Sequence, residues 1–144
     1  MRRLIASASI VALSLTAATA AAGATKARCG AGTVKGIAWV TGGPSGLGSL
    51  TSNWTSSAGL FGYRWNCSGG AVSVRKPDSE PAGFDVRFAG NPGHVALANT
   101  AGGPAAASVS RNADGSFHVS MAGNTAPPGG FGNRTDLAFI IIVF

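Results

Sequence analysis

Two histidines, His94 and His118, and five carboxylates, Asp78, Glu80, Asp85, Asp114 and Asp136, are the acid–base groups this 144-residue chain offers for catalysis near neutral pH. Glycoside hydrolysis needs two carboxylates held on either side of a scissile bond. Asp78 and Glu80 instead share one Pro-flanked loop, and Asp114 precedes Gly115 as a turn residue does. Each histidine falls in a stretch of strand-like alternation rather than on a loop that would present it at a cleft. No spacing of His, Cys and carboxylates matches a metal site. Ser45 lies in Gly43-Pro44-Ser45-Gly46-Leu47, with glycine at the wrong offset for a nucleophile elbow. That stretch also lacks the G-x-G-x-x-G spacing and the helix of a phosphate cradle. The residues therefore carry no catalytic signature and imply no cofactor. A small secreted hydrolase or toxin stays an alternative only if His94 or His118 lies beside a carboxylate in a cleft.

Binding has better raw material. Trp39, Trp54, Tyr63 and Trp65 all fall in the first half of the chain. Sugar rings present C–H faces that pack on aromatic planes, so these four are the candidate ligand contacts. The competing role is core packing, because a Trp beside a disulfide is ordinary in β-sandwiches. Tyr63 and Trp65, near Cys67, are read as core; Trp39 and Trp54 fit either role. Three N-glycosylation sequons, at Asn53, Asn66 and Asn133, are read as coincidental in a bacterial-looking chain.

The elements that must position these rings are short strands. With 22 glycines and almost no helical periodicity after residue 24, the chain reads as all-β. Strand-like segments are expected at residues 33–41, 47–55, 60–67, 71–76, 84–89, 94–101, 107–111, 116–121 and 137–144. Within 60–67, Phe61, Tyr63, Trp65 and Cys67 share one face by alternation. Residues 137–144 are apolar on both faces, which suits a central strand, and a long Gly/Pro loop spans 123–135.

An internal echo constrains the architecture. Phe84-Asp85-Val86-Arg87-Phe88-Ala89-Gly90-Asn91 recurs as Phe117-His118-Val119-Ser120-Met121-Ala122-Gly123-Asn124. Each copy follows a Ser-Val strand and a polar turn, so each reads as a hairpin that exits through Ala-Gly-Asn. A lone hairpin cannot bury its apolar face, and two of them suggest two sheets packed face to face. The expected fold is an antiparallel two-sheet β-sandwich of about 7–9 short strands.

Compartment is read from the N-terminus. Arg2 and Arg3 precede an apolar run from residue 4 to 15, and small-residue cleavage sites end at Ala20, Ala22 and Ala24. Residues 1–24 therefore read as a removable secretory signal, leaving one domain over 25–144. The run is too short for a membrane anchor, and Lys26-Ala27-Arg28 before Cys29 does not fit a lipoprotein site. Cys29 and Cys67, the only cysteines, are expected as one disulfide in an oxidising, extracellular setting. After signal removal, nine basic residues face five acids, a net charge of about +4, with the basic residues scattered singly apart from Arg75-Lys76. That distribution offers no nucleic-acid tract.

Three stretches carry a resemblance: Val72-Ser73-Val74-Arg75-Lys76, the run from Gly83 to Pro92, and the closing run from Asp136 to Phe144. They resemble small, mostly uncharacterised secreted β-rich proteins of high-GC Gram-positive (actinobacterial) bacteria, over roughly the last half of the chain. The resemblance implies a β fold and an extracellular compartment and transfers no site residue. Together these readings give a secreted non-catalytic module, with a surface or environmental glycan as leading partner. A protein partner met through an edge strand or the 123–135 loop is the alternative.

Overall fold

Val72 and Val74, Phe84, Val86 and Phe88, and Phe117, Val119 and Met121 alternate with polar residues, and all eight are buried. That period of two is what a half-buried strand imposes. The computed structural model describes residues 29–30, 32–79, 83–101, 105–124, 131–133 and 137–144. The signal reading at residues 1–24 lies outside them. Nine strands are described: β1 Gly36–Val40, β2 Phe61–Asn66, β3 Val72–Arg75, β4 Gly83–Phe88, β5 Ala96–Thr100, β6 Ala105–Arg111, β7 Phe117–Asn124, β8 Phe131–Asn133 and β9 Phe139–Val143. They form an antiparallel four-stranded sheet in the order β2-β1-β9-β5 and a five-stranded sheet in the order β3-β4-β7-β6 with β8 beside β7. None of the described helices is long and apolar enough to cross a membrane.

The two sheets pack face to face as expected. Ala38, Val40, Phe139, Ile141 and Val143 of the four-stranded sheet share one core with the eight residues above. The Phe84 and Phe139 rings, one from each sheet, stack at 5.7 Å between centroids. The apolar closing segment forms the central strand β9, between β1 and β5. Both echo hairpins form, β3 with β4 and β6 with β7, and they meet along β4 and β7. The Cys29–Cys67 disulfide is present, with a Cα–Cα distance of 5.3 Å.

Four local expectations are corrected. Residues 47–55 form no strand: Leu47–Ser49 is a 3-10 turn, and the only ladder contact is an isolated Thr55–Val74 bridge. Leu47 and Leu50 are both buried, a spacing of three that suits a helical turn rather than alternation. Phe61 leaves the face of Tyr63 and Trp65, because the register against β1 shifts between Trp39 and Val40 and turns Phe61 toward the core. His94 precedes β5 instead of lying within it. The second echo copy does not exit at Ala-Gly-Asn, since β6 and β8 pair with Ala122 and Gly123 from both sides and prolong β7. In the first copy the chain turns at Gly90, whose φ of 68° suits glycine.

Candidate binding face

Two rows of side chains across the outer surface of the four-stranded sheet are aromatic and aliphatic apart from Asn99. Register places Trp65, Ile37, Ile142 and Leu97 in one row across β2, β1, β9 and β5. Tyr63, Trp39, Ile140 and Asn99 form the next row. No charged side chain interrupts either. Tyr63 is 54% exposed, Leu97 62%, Trp39 41% and Ile140 36%, while Ile37, Trp65 and Ile142 are half-buried. The inward positions of the same strands hold Ala38, Val40, Ile141 and Val143, so this sheet is apolar on both sides. These exposures make the face a candidate interaction surface.

Within the face, Trp39 is laid down on β2. A Cβ built on Gly62 would fall 2.5 Å from Trp39 Cε3, 2.8 Å from Cδ2 and 2.9 Å from Cζ3. The indole therefore rests against the Gly62 backbone, at the register shift between the two strands. One ring face is taken by the backbone and the other is turned to solvent, with Tyr63 directly opposite across the ladder. Cross-strand neighbours lie about 4.5–5.5 Å apart at Cβ. Register thus sets the two exposed aromatic side chains side by side as a pair on the face. Tyr63, expected in the core, is its most exposed member, and Trp65 borders it.

Trp54 belongs elsewhere. It lies over the five-stranded sheet, between the guanidinium groups of Arg75 and Arg87, at 4.5 and 4.1 Å from the ring centroid. Both arginines are held by carboxylates. Arg75 Nε and Nη2 donate to Asp85 Oδ2 at 2.9 and 2.8 Å, and Arg87 Nη2 donates to Asp114 Oδ2 at 2.7 Å. Asp114 Oδ1 accepts from the Ser116 hydroxyl at 2.5 Å, and Ser116 Oγ accepts from Asn112 Nδ2 at 2.9 Å. Asn112 Nδ2 also donates to Asp85 Oδ1 at 3.1 Å. The contacts form a closed ring through Asp85, Arg75, Trp54, Arg87, Asp114, Ser116 and Asn112. The Ser116 hydroxyl and backbone N–H, aided by Arg87 and opposed by partial burial, lower the Asp114 pKa to about 2.

His118 joins this ring from β7, its Nδ1 2.9 Å from Asp85 Oδ1. The two residues border a pocket of about 160 Å³ with Arg75, Pro77, Ser79 and Asn112. The histidine–carboxylate contact that a hydrolase reading requires is therefore on the molecule. Asp85, however, is 2% exposed, and its carboxylate takes N–H groups from Arg75 and Asn112 while lying 2.9 Å from His118 Nδ1. The geometry is that of a buried polar clamp joining three strands and a turn, with its acceptor positions committed. His94 is exposed and donates its backbone N–H to Phe144 O. Glu80 and Asp136 lie outside the described residues. No group of three or more potential metal ligands occurs among the described residues.

The four candidate rings thus separate: Trp39, Tyr63 and Trp65 share one sheet face and Trp54 serves the other sheet. Sequence reasoning passed over Gly62, Ile37, Ile140, Ile142 and Leu97 as parts of a face. Gly62 between two aromatic residues was the available signal, and its meaning depends on the strand opposite. Compared with known proteins, the chain matches no family model, no curated protein and no solved structure.

Proposed function

We propose that this chain is a secreted, non-catalytic module that holds a surface or environmental glycan on the outer face of its four-stranded sheet. The observation that carries the reading is the Trp39 indole laid on Gly62 beside the exposed Tyr63 ring. A sugar packs its axial C–H face on such a plane, and two rows without charged side chains match the flat side of a polysaccharide better than they match a nucleic acid. Secretion is supported by the signal-like pattern of residues 1–24 together with the paired cysteines. The likeness to secreted actinobacterial β-rich proteins agrees with that compartment.

A protein partner is the second reading, favoured by the aliphatic half of the same face, Ile37, Ile140, Ile142 and Leu97, since aliphatic side chains give a sugar little to stack on. The test is sedimentation of the protein with insoluble cell-wall and plant polysaccharides at low salt and at about 1 M, where charges are screened beyond about 3 Å. Retention that survives salt and is lost in Trp39→Ala and Tyr63→Ala, with unchanged thermal stability, is the expected outcome. Absence of retention on every polysaccharide, or full retention by both variants, sinks the glycan reading and leaves the protein partner.

A further inference from the structure

Where β2, at the edge of one sheet, comes beside β3, at the edge of the other, the sandwich opens into a cleft of about 500 Å³. Ser56, Arg64, Trp65, Asn66, Gly70 and Val72 are among its walls. Its floor is tightly tied. Asn66 Nδ2 donates to Gly70 O and Ala89 O at 3.1 and 2.9 Å, and Asn91 Nδ2 donates to Asn66 Oδ1 at 3.0 Å. Ser68 Oγ donates to Ala89 O at 2.6 Å and accepts from Gly70 N–H at 3.1 Å. The neighbouring Cys67 is closed into the disulfide. This wall is preformed, and Asn66 is too committed to serve as a glycosylation acceptor.

Arg64 is the cation in this cleft wall. Like Lys35, Lys76 and Arg111, and unlike Arg75 and Arg87, it has no carboxylate partner among the described residues. Its guanidinium lies 5.0 Å over the Phe61 ring and spends one N–H on Ser56 O at 2.5 Å. These two contacts fix the fork and leave four of its five donors without a described partner. Beside it, Trp65 belongs to the outer row of the sheet and also lines the cleft, so the face and the cleft adjoin along β2.

We propose that this cleft receives a carboxylate-bearing sugar, a uronic acid residue of the bound glycan, with Arg64 as the carboxylate fork and Trp65 at the border between cleft and face. The assignment rests on the glycan reading of the sheet face. A guanidinium matches a carboxylate in plane and in donor spacing, which a neutral sugar cannot use.

The test compares retention of the protein in gels containing polygalacturonate, its methyl ester or a neutral glucan at matched salt. The protein should bind the acid about tenfold more tightly than the ester, the size of one charge-assisted contact of about 1.4 kcal/mol. Arg64→Gln should abolish that preference while keeping ester binding, and Arg64→Lys should restore only part of it. Arg111→Gln, an equal change of net charge at an exposed site on β6, should leave the preference intact. Equal binding of acid and ester, or a preference unchanged in Arg64→Gln, overturns the proposal. If Trp39→Ala alone abolishes binding of all three polymers, the face reading stands whatever Arg64 does. If Trp39→Ala binds as the parent does, the face reading falls first.

Discussion

Asp85 and His118 face each other directly across β4 and β7, 2.9 Å apart, and both hold the second position of the repeated octapeptide. Antiparallel pairing of two copies of one pattern brings equivalent positions together only at its centre. Here Phe84 meets Val119 and Val86 meets Phe117, so the centre is the Asp85–His118 pair. At that one point the copies carry a carboxylate and an imidazole. The echo therefore builds a symmetric apolar face toward the core and an asymmetric polar pair away from it.

Replacing Asp85 by Asn should cost about 3 kcal/mol, because it takes the buried carboxylate away from the Arg75 guanidinium. Urea unfolding of the parent and variant reads this directly. Asp78→Asn, at an exposed turn, should change stability by less than about 0.5 kcal/mol. Equal midpoints for the two variants would show that the ring of contacts adds no stability.

Asp114 gives the fold a defined acid response. Its folded pKa is about 2, below the ordinary aspartate value of 3.8, so the folded protein binds fewer protons in that range than the unfolded chain. Its contribution is present above about pH 4 and is lost as pH falls toward 2. The difference in melting temperature between the parent and Asp114→Asn should accordingly shrink over that window. A difference that stays constant from neutrality to pH 2 would contradict the assignment.

Trp54 separates packing from binding. Two guanidinium contacts at partly exposed sites are worth about 0.5–1 kcal/mol each, so Trp54→Ala should lower stability by about 1–2 kcal/mol. Because the ring lies on the other sheet, polysaccharide retention should be unchanged. Loss of retention in a stably folded Trp54→Ala would move the binding site to the five-stranded sheet.

How far the sequence could be read depended on which faces differ in polarity. In β4 and β7, Phe84, Val86, Phe117 and Val119 alternate with Asp85, Arg87, His118 and Ser120, and the inward side is unambiguous. In β1, Ala38 and Val40 alternate with Ile37 and Trp39, which are apolar as well. There the smaller residues fill the core and the larger ones face outward, a choice no hydrophobic pattern encodes. β2 misled for the opposite reason: Tyr63 and Trp65, near Cys67, alternate with Arg64 and Asn66, yet the aromatic side is the outward one. Pairing was the second missing quantity. The Trp39 platform and the Asp85 clamp depend on which residues stand opposite, through a register shift and a central strand drawn from the far end of the chain.

Gly62 offers the sharpest test of the platform, because substitution there touches neither ring chemically. A Cβ at residue 62 would stand 2.5 Å from the indole, so Gly62→Ala must lift Trp39 off β2. The obstructing atoms belong to a side chain with room on its solvent side, so the ring can move and the fold should lose less than about 2 kcal/mol. The aromatic surface keeps its composition but loses its flatness, with Trp39 raised beside Tyr63. Polysaccharide retention should fall nearly as far as in Trp39→Ala, while Trp39 becomes more accessible to a fluorescence quencher. If quenching rises and retention does not change, burial of apolar area rather than stacking on a plane holds the ligand, and the aliphatic half of the face becomes the binding surface.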